Sequence, residues 1–276
     1  MGWRARLDLH YSLENLTTQV KFEHEGPLRI LRSLYPEGPS VCHNVLIHPP
    51  SGLVGGDSLE INIQAKDQAH ALITTPGATR FYRSAHEWAT QHVLVNLKDS
   101  ARLEWLPLET LAYNGCKAKN HCTFDLKDES ELIAWDITAL GMPSANLPFE
   151  VGQIEQHFEL KGHWLDRGRI QASDLDLLNS PVGLNARKCL STMVFASARA
   201  LSAERVGQIL ELARSALPAN SLEIQAGATS PNAHIVVVRM LSDLVEPSMH
   251  LMRRIWLAWR SELWSLQPVM PRIWAL

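Results

Sequence analysis

The feature that most constrains the fold of this 276-residue chain is a period of two in its apolar residues, sustained over the first two thirds of its length. Trp3, Ala5, Leu7, Leu9 and Tyr11 alternate with Arg4, Arg6, Asp8 and His10, so an extended backbone collects the first set on one face. The alternation returns at Leu59, Ile61 and Ile63, at Val93, Val95 and Leu97, at Cys122, Phe124 and Leu126, and from Leu132 through Ile137. Segments 154–161 and 163–171 read as a hairpin with Gly162 near the turn. Short strands separated by Gly/Pro/Asn turns predict a mainly β chain, built as an extended antiparallel or coiled sheet.

Two stretches read as helices. Ser202 is suited to cap a helix over 203–216, where Val206, Ile209, Leu210, Ala213 and Leu217 recur at helical spacing before Pro218. A second begins near Pro247 and carries Met249, Met252, Ile255, Trp256, Trp259 and Leu263. The β-branched run His234–Arg239 lies between them. The expectation is one domain over 1–276, with 200–276 forming a small helix–strand–helix element packed on the large sheet. No internal repeat or linker is visible.

Composition excludes some functions. Hydrophobic residues at 46%, charged residues at 20% and a net charge of −3 suit a soluble globular protein with no basic field for nucleic acid or anionic membrane. The N-terminus lacks the apolar core of a signal peptide, and no window is apolar enough for a membrane helix. Cys42, Cys116, Cys122 and Cys189 form no C-x-x-C pair, which points to a reduced, cytoplasmic protein.

The chemistry-bearing stretch is 46–57, Leu-Ile-His-Pro-Pro-Ser-Gly-Leu-Val-Gly-Gly-Asp. Its prolines stiffen the backbone and its glycines open angles closed to other residues, so it reads as a shaped corner carrying His48 and Asp57, or as an ordinary connection between strands. It has no P-loop lysine, and the chain has no G-x-S-x-G elbow. Cys42, His43 and His48, or Cys116, His121 and Cys122, are either borderline ligands for nickel or zinc or buried thiols beside incidental imidazoles. Glu104 and Glu109 bracket a short apolar segment, and Asp136 sits between Trp135 and Ile137. Each acid either faces solvent or is paired, because an unpaired buried carboxylate is costly.

Four blocks in this order carry a family resemblance: His48–Asp57, Thr74–Ser84, Glu104–Glu109 and Pro271–Trp274. With them the chain resembles the urease accessory proteins of the D (or H) type along essentially its whole length. It departs from them at Gly141-Met142-Pro143-Ser144-Ala145-Asn146-Leu147-Pro148-Phe149, where the family's Arg and Glu are absent, and at Leu108, where a Gln is usual.

The resemblance implies a β-helix-like scaffold that is not an enzyme, a chaperone of metallocentre assembly. It implies docking on apo-urease with an F-type accessory protein and, through the complex, a G-type GTPase, and transient nickel with no tightly bound cofactor. His48, Asp57, Glu104, Glu109 and Asp136 then become candidates for a polar nickel-binding route. Arg80, Arg83 and Ser84 become candidates for orienting those acids. Trp256, Trp259, Arg272 and Trp274 become candidates for partner contact, set against a shared aromatic core. The competing class is a β-rich metal-dependent hydrolase using Cys/His/Glu ligands.

Overall fold

The computed structural model describes residues 2–219, 221–267 and 269–275. The chain opens with an antiparallel pair, β1 (Arg4–Glu14) and β2 (Thr17–Glu25), followed by the short β3 (Arg29–Ile30) and by β4 (Val41–Ile47). From there it winds. A first coil runs through β5 (Ser58–Ala65), β6 (His70–Thr74) and β7 (Thr79–Phe81), and a second through β8 (Ala89–Leu97), β9 (Arg102–Leu106) and β10 (Thr110–Ala112). A third runs through β11 (Lys117–Leu126) and the longer β12 (Glu131–Leu140). Each strand lies parallel to its counterpart in the next coil: β5 beside β8 beside β11, and β6 beside β9 beside β12.

The stack is closed by the hairpin β13 (Gln153–Leu160) and β14 (Trp164–Gln171), the pair expected from the sequence. A short helix α1 (Leu175–Asn179) leads to β15 (Cys189–Ser197), which joins β12 antiparallel. Then come α2 (Ala203–Ala216), β16 (Ile224–Asn232), β17 (Ile235–Ser242) and α3 (Val245–Trp264). Both expected helices are present. The element between them is a hairpin rather than a single strand, and β17 extends the sheet through β15.

The result is a β-solenoid with two walls. One is a sheet of seven strands ordered β14-β13-β11-β8-β5-β1-β2. The other is a sheet of ten running from β16 through β12, β9, β6 and β4 to β3. Alternation within each strand builds two cores. Leu7, Ile61, Val93, Phe124 and Leu103 fill the space between the walls, while Leu72, Leu106, Ile133 and Trp135 point out of the second wall against α2 and α3.

The coils repeat although no repeat was expected. Lys66-Asp67, Lys98-Asp99 and Lys127-Asp128 mark the same corner in successive coils. In each, the lysine carbonyl accepts from the amide three residues on, at Ala69, Ala101 and Ser130. All three aspartates have positive φ, between 52° and 59°, which a short polar side chain tolerates better than a branched one.

Candidate functional site

The 46–57 corner is built around Asp57. Its Oδ1 accepts the Trp3 amide at 2.8 Å and its Oδ2 accepts the Val54 amide at 2.9 Å, so both carboxylate oxygens hold backbone. The corner then docks on the coil: the Leu53 amide donates to the Arg80 carbonyl at 2.7 Å, and the Tyr82 amide donates to the Leu53 carbonyl at 2.8 Å. Gly52 lies so close to the Tyr82 ring, and Gly55 to Ser84 Oγ, that an added Cβ would stand 2.2 and 2.1 Å from them. His48 is half-buried on the wall of a cavity of about 180 Å³ with Thr75, Arg80, Gln91 and Trp105. Burial holds its imidazole below the usual range, partly offset by Asp57.

Behind that cavity, polar groups run through the interior between the walls. Gln91, Asn120 and Gln156 occupy one rung, at facing inward positions of β8, β11 and β13. Gln91 Nε2 donates to Asn120 Oδ1 at 3.1 Å, and Asn120 Nδ2 donates across to Asp136 Oδ1 at 2.7 Å. Gln156 Nε2 donates to Asp136 Oδ2 at 3.0 Å and to Thr138 Oγ1 at 2.8 Å. Burial pushes the Asp136 carboxyl up to about 6 even though Thr138, Asn120 and Gln156 all hydrogen-bond to it. Asn120, Asp136 and Gln156 line a second cavity of about 170 Å³, with Asp166 and Arg239 also on its wall. The amide rung thus joins the cavity of His48 to the cavity of Asp136.

Glu104 belongs to a different layer. On β9, Leu103 and Trp105 point between the walls, so Glu104 points outward under α3, fully buried. His70 Nε2 lies 2.7 Å from its Oε1, Arg260 Nε lies 3.0 Å from its Oε2, and the Trp256 indole N–H donates to that same Oε2. Arg260 also forks onto Glu37, at 2.7 and 3.1 Å, and Glu37 meets His43. Burial pushes the Glu104 carboxyl up, but the bond from His70 and the Arg260 charge outweigh it and hold it below its ordinary value. Burial likewise holds His70 low, so a neutral imidazole donates to a carboxylate.

The remaining expected site residues are dispersed. Glu109 is half-buried on a third cavity of about 290 Å³ beside Arg253, away from Asp136. The five candidate lining groups are therefore not brought together: His48 and Asp136 share the interior chain, while Asp57, Glu104 and Glu109 stand outside it. Arg80 lies on the His48 cavity with its Nε buried and unpartnered. Arg83 packs on Gly115, and Ser84 Oγ donates to the Glu87 carbonyl rather than to an acid.

The tryptophans weighed between a partner contact and a shared aromatic core lie inside the fold. Trp256 and Trp259 are 0% exposed and Trp274 is 8% exposed. Their indole N–H groups donate to Glu104, to the Ile209 carbonyl and to Thr74 Oγ1, and their rings fill the layer between the second wall and the helices. Arg272 stays exposed.

Alternation splits the Cys/His groups. Cys42 points between the walls and His43 out toward Glu37, and the four cysteines are free and buried. Among the described residues, no three His, Cys, Asp or Glu side chains converge as a metal site, and no helix is long and apolar enough to cross a membrane. Gln91, Asn120 and Gln156 were not anticipated. Their signal is an amide–histidine pair, Gln91-His92, Asn120-His121 and Gln156-His157, that recurs once per coil.

A two-walled stack of parallel coils clamped by a helical layer, with a polar chain threading an apolar interior, defines a β-solenoid class of protein. Within that class, the family model for the UreD urease accessory protein matches residues 4–275. The urease accessory protein UreD of Variovorax paradoxus (strain S110) is 53% identical over 275 residues, and that of Polaromonas sp. (strain JS666) is 51% identical over 276, each covering 100% of both chains. That of Methylibium petroleiphilum (strain PM1) is 41% identical over 296 residues, covering 99% of each chain. The chain belongs to the UreD family of urease accessory proteins.

Proposed function

We propose that the chain is a urease maturation scaffold without catalytic turnover. In this reading it docks in the cytoplasm on apo-urease together with F-type and G-type accessory proteins, and it supplies part of the route by which nickel reaches the urease site. The observation that carries the reading is the interior chain from His48 through Gln91, Asn120, Asp136 and Gln156. Buried polar groups are costly and here serve no core packing that apolar residues would not serve better. Amide oxygens, one carboxylate and one imidazole hold a nickel ion weakly, which suits passage rather than storage. Asp57 and Glu104 support the route by fixing the corner and the helical layer, and the exposed Arg272 belongs to the surface offered to a partner.

Co-expression of apo-urease, the other accessory proteins and an Asp136→Ala chain tests this. Urease should emerge with less nickel and less activity while the variant still folds and still captures its F-type partner. Urease with parental nickel content would overturn the assignment of the interior chain.

A further inference from the structure

The outer face of the seven-stranded wall carries a second ladder, back to back with the amide rung. His92, His121 and His157 sit opposite one another on β8, β11 and β13. The His92 and His121 rings lie 4.9 Å apart between centroids, at 74°, and the His121 and His157 rings 5.3 Å apart, at 43°. All three are half-buried. Among the described residues, the hydrogen bond of the ladder is that of His157 Nε2 with Glu159 Oε2, at 2.9 Å, which leaves the His92 and His121 rings uncommitted. Unlike a packed aromatic cluster, the ladder stands on a face opened by exposed neighbours, Glu60 beside His92 and Leu94 at 47% exposure.

From this geometry we propose that His92 and His121 form a surface site for a single borderline divalent cation, nickel, copper or zinc, with water completing the coordination sphere. Two metal–nitrogen bonds of about 2.1 Å reach across about 4 Å, a span open to nitrogens of rings at this separation. Imidazole nitrogens suit these ions and not magnesium or calcium. Each ring must be neutral to bind, and the surroundings keep them so. Burial and the neighbouring imidazoles His92 and His157 push His121 down to about 4. Burial also holds His92 low, opposed by Glu60 and reinforced by Lys119 and His157. Glu155 and Lys119 are the remaining charged groups facing His121. His121 stands between the other two imidazoles, so it can serve one pair at a time. Without a converged third ligand the ion exchanges freely. The site is independent of the interior chain and of the urease reading.

The test is equilibrium dialysis of the full chain against nickel, zinc and copper chlorides at pH 7.5, with His121→Ala and His92→Ala beside the exposed controls His24→Ala and His250→Ala. Loss of a ligand should weaken binding by about tenfold or more, at least the effect of removing a supporting group around a metal ligand, while the controls bind as the parent does. Copper should bind tightest. Unchanged binding in His121→Ala would overturn the site. Should that variant fail to fold, copper EPR of the parental chain counts its ligands directly: hyperfine coupling to two imidazole nitrogens supports the site, and oxygen-only coordination overturns it.

Discussion

Arg260, near the end of the last long helix, lies 3.0 Å from Glu104 on the wall of the solenoid, and both side chains are fully buried. The pair ties residues 156 positions apart and is the polar pin of the helical layer. Removing Glu104 leaves Arg260 with Glu37 alone and strips the buried His70 and Trp256 N–H groups of their acceptor, so Glu104→Ala should cost about 3–5 kcal/mol. Urea unfolding checks this. The double variant Glu104→Ala/Arg260→Ala should lose less than the sum of the two single losses, and additive losses would show that the pair is not coupled.

Asp136 is expected to titrate near pH 6 rather than near 3.8, because burial favours its neutral form. NMR of its carboxyl carbon measures this directly. On the proposed route, the negative charge gained above pH 6 makes the interior chain a better nickel ligand, so nickel transfer into urease should fall as pH drops through 6. A carboxyl titrating at the ordinary value would remove that pH dependence.

Acid should weaken the fold. His70, His92 and His121 are held below their ordinary value of 6.5 in the folded chain, so below that pH the unfolded chain binds protons that the folded chain refuses. Their stabilisation is complete above about 6.5 and declines as pH falls toward 4. Glu37 and Glu104, also held low, extend the loss below their ordinary 4.5. Asp136 works in the opposite sense between about 6 and 3.8. Urea midpoints at pH 7.5, 5.5 and 4.5 should fall in that order, and His121→Gln should flatten the decline between 6.5 and 4.

Gly152 has φ +114°, and a Cβ there would stand 2.6 Å from the Cys116 carbonyl oxygen. Both the backbone angle and the contact exclude alanine, so Gly152→Ala should cost at least about 1–3 kcal/mol and lower the thermal midpoint. A midpoint equal to that of the parent would show that the chain between β12 and β13 can move aside.

Strand existence and the two long helices were legible because each buries a face on a single period, as in Leu59-Ile61-Ile63 and Val206-Ile209-Ala213. The winding was harder to read. Its marks are the Lys-Asp steps at 66, 98 and 127 and the amide–histidine pairs, and these are too short to register as a repeat until the coils are stacked. Glu104 and Asp136 looked equivalent, each an acid in an apolar strand. Position relative to the inward residues separates them: Trp105 and Leu103 turn Glu104 out under α3, while Leu132 and Ala134 share the inner face with Asp136. Partner contact and shared core were equally open for the tryptophans of α3 because the sequence does not show that the helix packs against both the wall and α2, where Trp259 reaches the Ile209 carbonyl.

A parallel coil has no intrinsic stop, since its last strand presents the same unpaired backbone as its first. In this chain the coil ends in reversed strands, β2 at one margin of the seven-stranded wall and β14 at the other. Lys21, Glu23 and Glu25 stud the first, and Arg167 and Arg169 the second. Another copy approaching either margin would have to strip water from those charges before any rung could form. Charge at both margins of this wall thus disfavours edge-to-edge pairing of two copies.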